Sequence, residues 1–242
     1  MPAERRPQPP FRPGRVPEAR PGPSGGRRDS NRAERAAALC VAAVRLFRER
    51  GLDAVRVDDI AREAGVAKGS FYRYFADQAQ LVEAVFEPVA SRAAEALGRC
   101  EARLDAARSR AHIAGAYRQL AAELAGSFLD SPEVVALYLQ ESRGPPVGAR
   151  RPIRALADQL ARRAIALTAV AQRTGWLRPL PPEVTAEAVI GAAEALAHGL
   201  LAGRITLPPS AAAEALVEMV LGGVAASPAT RGARPSSARR RA

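Results

Sequence analysis

The chain has 242 residues and a net charge of +11, from 36 Lys and Arg against 25 Asp and Glu. That length supports one small and one medium domain, and the basic excess points to a polyanionic partner. Two cysteines far apart exclude a disulfide framework or a CxxC metal site, and no run approaches the roughly twenty apolar residues of a membrane span.

Residues 1–30 hold 7 Arg against 3 acidic residues among many Pro and Gly, without periodicity, and are expected to be a disordered basic arm. Helical spacing then begins, with expected helices near 32–50, 57–64 and 68–75. In the second, Val57, Ile60, Ala61 and Ala64 share one apolar face, and Gly65 stands where the chain must turn. Val66, Phe71 and Phe75 continue the core. Across the third helix Lys68 pairs in spacing with Tyr72, Gly69 with Arg73 and Ser70 with Tyr74, so these residues are expected on the face turned away from the two Phe rings. Two helices on a glycine turn, the second basic and aromatic, are a device for reading the DNA major groove.

The run Ala42-Ala43-Val44-Arg45-Leu46-Phe47-Arg48-Glu49-Arg50-Gly51, then Val57-Asp58-Asp59-Ile60-Ala61, Ala64-Gly65-Val66 and Phe71-Tyr72-Arg73-Tyr74-Phe75 with Leu81, resembles the N-terminal domain of TetR-family transcriptional regulators. About forty-five residues agree in order and spacing. The resemblance implies a three-helix DNA-binding domain over 31–76, with Lys68, Gly69, Ser70 and Arg73 facing base edges and Arg56, Tyr72 and Tyr74 gripping phosphates. Two positions depart from the family pattern. Val55 and Arg56 replace the usual Ser or Thr cap before the second helix, so capping must come from elsewhere, with Asp58 and Asp59 compensating in part through the helix dipole. Gln78 replaces a phosphate-contacting lysine.

Beyond the motif, residues 77–226 are near neutral, with 15 basic and 16 acidic side chains. Helices are expected near 79–108, 111–129, 132–142, 151–174, 183–203 and 210–225, jointed by Gly and Pro, with Pro88 bending the first of them near Ala84. Phe86, Tyr117, Phe128, Tyr138 and Glu141 are the candidate lining of an effector pocket, a mostly apolar cavity with a few polar groups. Ala188, Gly191, Ala195, His198 and Ala202 form a stripe of small residues, joined by Leu216 and Met219 from the last helix. The resemblance implies that this stripe is a homodimer interface. Residues 227–242 carry 5 Arg and no acidic residue, a second basic tail expected to be disordered.

These readings describe an all-α chain with an N-terminal helix-turn-helix domain followed by a helical effector-binding and dimerisation domain. His112 and His198 stand far apart and no catalytic elbow or phosphate loop is present, so no enzyme, cofactor or metal is expected. The expected function is a cytoplasmic, ligand-responsive regulator, a repressor, that binds a palindromic DNA operator as a homodimer and releases it on binding a small, mostly apolar effector. The alternative is a nucleoid-like DNA binder without ligand control.

Overall fold

The computed structural model describes residues 27–224, and most of both basic tails lies outside them. Among the described residues there are nine α-helices, one 3-10 turn and no strand. Helix α1 (Arg27–Arg50) starts five residues ahead of the expected 32, so 27–30 are helical rather than part of an arm. It is followed by α2 (Val57–Glu63), α3 (Lys68–Phe71), α4 (Gln78–Asp105), α5 (Arg110–Asp130), α6 (Pro132–Glu141), a 3-10 turn (Gly148–Arg150), α7 (Arg151–Arg173), α8 (Pro182–Leu201) and α9 (Pro209–Val224).

Helices α1 to α3 close over the start of α4 to form an N-terminal head. Phe47, Phe71, Phe75, Leu39, Ile60 and Leu81 are almost wholly buried there. Glycine sets two of the bends. Gly51 (φ +79°) ends α1, donating to the Phe47 carbonyl at 2.8 Å, and Gly65 (φ +68°) ends α2, after which the Val66 N–H reaches back to the Ala61 carbonyl at 2.9 Å. The same apolar cluster runs on into Val134 and Leu137 of α6 and Ile153 and Leu156 of α7, so head and body share one continuous core.

The body is built around α4, which packs against α5 and α7 and continues as one element through Pro88. Its second core joins Leu97, Cys100 and Leu104 of α4 to Ile113 of α5 and Leu167, Val170 and Ala171 of α7. Helix α8 leans on α7 and α9 on α5, and both leave apolar surface open. Val184 and Met219 are each 66 % exposed. Contrary to the expectation of no apolar run, α8 is long and apolar enough to cross a membrane by length and composition, with little of it buried. Ala188, Ala195, His198 and Ala202 are exposed and Gly191 half-buried. Leu216 departs from the expected interface: it is buried within the chain itself.

Candidate nucleic-acid interface

Helix α3 spans only Lys68–Phe71, shorter than the expected 68–75. Tight turns carry it on, with the N–H groups of Arg73, Tyr74 and Phe75 donating to the carbonyls of Ser70, Phe71 and Phe71 at 3.2, 2.8 and 3.1 Å. Lys68, Gly69, Tyr72 and Arg73 stand exposed on this element and Ser70 is half-buried. Phe71 and Phe75 are buried, their ring centroids 5.8 Å apart, and Tyr72 meets Phe71 edge-on at 5.5 Å. The outer aromatic is therefore held by the inner one while 55 % of it stays exposed.

Tyr74 corrects the sequence reading. Its ring is 5 % exposed and packs in the head core, with the Arg32 guanidinium of α1 lying 5.4 Å from the ring centroid. The physical reason is the tightening after Phe71, which turns Tyr74 inward beside Phe75 and breaks the four-residue spacing with Ser70. A cation over an aromatic face adds a modest attraction. Arg32 was not singled out in sequence, because nothing local signals a partner 42 positions away.

Lys68 Nζ pairs with an Asp58 carboxylate oxygen at 2.8 Å, joining the two helices of the motif across their turn. That hydrogen bond, with the nearby charge, holds the Lys68 ammonium more firmly protonated than an ordinary lysine. Arg56 is exposed at the N-cap of α2. The missing Ser or Thr cap is replaced in part by Asp59, whose carboxylate accepts the Arg56 backbone N–H at 3.1 Å and binds Arg62 at 2.9 Å. Gln78 donates to the Val55 carbonyl at 3.2 Å, and so ties α4 to the loop before α2.

The candidate pocket residues do not converge. Phe86 is part of the head core at 3 % exposure, and Tyr117 packs against the second core, where burial pushes its phenol above the ordinary range. Phe128 is half-buried. Tyr138 donates to Glu194 at 3.3 Å, and the same carboxylate binds Arg143 at 2.6 Å. Glu141 is buried but occupied: Arg150 donates to it at 2.9 Å, a pairing that desolvation demands of a buried carboxylate. Two open grooves, of about 410 and 400 Å³, lie instead at Arg110, Arg118, Val217 and Leu221 and at Arg108, Arg173 and Trp176, and neither is lined by these five residues. His112 sits at the start of α5, where its Nδ1 accepts the Arg108 backbone N–H at 3.2 Å. Among the described residues no three side chains of metal-ligating type come together.

Residues 39–85 match the model of bacterial regulatory proteins of the tetR family. Over 46 residues the chain is 41 % identical to the uncharacterized HTH-type transcriptional regulator YvdT of Bacillus subtilis, covering 19 % of this chain and 24 % of that protein. Over 68 residues it is 40 % identical to the HTH-type transcriptional activator FasR of Mycolicibacterium smegmatis, covering 27 % and 31 %. The sequence match thus spans less than a third of the length of either curated relative. The fold agreement is wider. The transcriptional regulator FadR from Bacillus subtilis, solved in complex with stearoyl-CoA, superposes with a TM-score of 0.56 at 17 % identity over 77 % of this chain and 98 % of that one. The match to the tetR-family model is thus confined to the head, and across the all-helical body the chain shares the fold of this solved regulator.

Proposed function

We propose that the chain is a cytoplasmic transcriptional repressor that binds a palindromic operator as a homodimer and releases it when a small, mostly apolar effector binds the body. The observation that carries the DNA-binding part is the exposed edge of Lys68, Gly69, Tyr72 and Arg73 on a turn braced by buried Phe71 and Phe75. The open face of α8 and α9 supports the dimer, since exposed large apolar side chains such as Val184 and Met219 are what a partner surface covers. FadR bound to stearoyl-CoA supports an acyl thioester as the first effector to try. FasR, an activator, favours a second reading of the sign of regulation, in which the same contacts raise transcription.

Selection of bound fragments from the source genome, followed by footprinting, is expected to return inverted half-sites with centres about 34–36 Å apart or at multiples of that distance. Equal affinity for selected and random duplex would leave a sequence-indifferent DNA binder. An effector must lose affinity in the presence of operator by the same factor that operator loses in its presence. Thermal-shift screening of acyl thioesters, aromatic acids and antibiotics, then gel shifts with each stabilising compound, measures that coupling; stabilisers that all leave operator bound would remove ligand control from the proposal.

A further inference from the structure

Apolar packing is non-directional, so the core shared by head and body permits small rotations of one on the other. A polar assembly at the same joint is directional. Glu141, the last residue of α6, accepts from Arg150 Nε at 2.9 Å through one carboxylate oxygen and, through the other, from the Leu52 N–H at 3.4 Å and Gln140 Nε2 at 3.1 Å. Arg150, in the turn before α7, also donates to Asp53 at 2.8 Å. Gln140 reaches the Phe47 carbonyl at 3.1 Å, in the last turn of α1, where the same oxygen also accepts the Gly51 N–H. The end of α1 and the loop that follows it are thereby held by three side chains of the body. Glu141 and Arg150 are 6 % and 8 % exposed, so their charges stand only in this paired geometry. Gly144 completes the site, because a Cβ there would lie 2.5 Å from Arg150 Cδ and 2.6 Å from Nε.

We propose that Glu141 and Arg150 are positioning residues that lock the angle of the head on the body. The proposal deepens the operator-binding reading and rests on it for its purpose, while its geometry can be tested without DNA.

Exposed cysteines replacing Ala67 in the head and Ala122 in α5 take spin labels, while Cys40 and Cys100 are buried and unreactive. With labelled chain diluted in unlabelled chain, the distance between the two labels reports head against body. The otherwise unmodified chain is expected to give one narrow distance. Gly144→Ala, which displaces the arginine without altering charge, is expected to broaden it. Glu141→Gln combined with Arg150→Met, which removes both charges together, is expected to broaden it too while keeping the native melting temperature to within a few degrees. In both variants operator affinity should fall while affinity for random duplex holds. Narrow, unshifted distances in both variants overturn the proposal, as does a double variant that recovers stability and narrow distance together. Absence of any preferred duplex for the native chain would count against the operator reading alone, and the label distances would still decide the lock.

Discussion

At Tyr72 the ring and the hydroxyl have separable jobs, because the ring rests edge-on against Phe71 while more than half of the residue remains open. Tyr72→Phe keeps the packing and removes the hydroxyl, the proposed donor to phosphate. It is therefore expected to weaken binding to all duplexes by a similar factor. Lys68→Ala should in addition relax preference at one base position, with about 1–3 kcal/mol of discrimination at stake, and gel titrations on operator variants at fixed salt separate the two outcomes. Cys40 and Cys100 behave differently from these surface groups. Burial pushes their thiols up to about 12 and about 11, from 9.0. The folded chain then keeps protons that the unfolded chain gives up, so the stabilising effect is complete below pH 9 and is lost as pH rises from 9 toward 11 and 12. At pH 8 a soluble disulfide reagent is expected to leave both thiols unmodified until denaturant is added. In the melting profile, Cys40→Ala should make the decline above pH 9 shallower.

Helix boundaries were legible because glycine and proline punctuate nearly every joint, and the observed ends fall within five residues of the expected ones. Gly65 carries the sharpest of these signals. No atom lies within 4 Å of a Cβ built there, so Gly65→Ala meets no clash and its effect isolates the cost of a left-handed backbone. A loss of about 1–2 kcal/mol is expected, measured as a drop in denaturation midpoint at unchanged m-value. Periodicity misled at the end of α3, since it assumes an unbroken helix and the chain there tightens after Phe71; that is why Tyr74 was assigned to the outer face and is found inside. Glu141 was read as a polar group lining a pocket and not as half of an ion pair. Its partner Arg150 also meets Asp53, 97 residues away, and sequence spacing holds no record of such a meeting. The five pocket residues failed for a related reason: an apolar or aromatic position on an amphipathic helix reads the same whether it fills a core or lines a cavity.

For the whole molecule, the basic and neutral portions divide the work. Positive charge concentrates toward the head and the tails, whereas the long body offers apolar faces and near-balanced charge. The open surface of α8 and α9 is the part of the body that the fold leaves unfinished. Ala195→Arg, placed on that exposed stripe, buries no existing contact within the chain and should leave the fold intact. It is expected to convert a dimer to monomers in sedimentation and to weaken operator binding steeply, because each half-site must then be held alone. A native chain that sediments as a monomer at micromolar concentration would refute the assembly and direct attention to another partner for α8.

Lys68 is the only lysine in the chain, and its side chain is 62 % exposed beside Asp58. An amine-acylating reagent therefore has one side-chain target in the whole protein, and that target lies on the face expected to meet DNA. Acylation removes a positive charge and leaves the carboxylate opposite it unbalanced, so one covalent event changes the local charge from neutral to negative. Bound duplex should shield the same amine, which makes the extent of acylation at a single position a direct chemical readout of occupancy. The firm protonation imposed by Asp58 slows the reaction at neutral pH, so Asp58→Asn should quicken it in the absence of DNA.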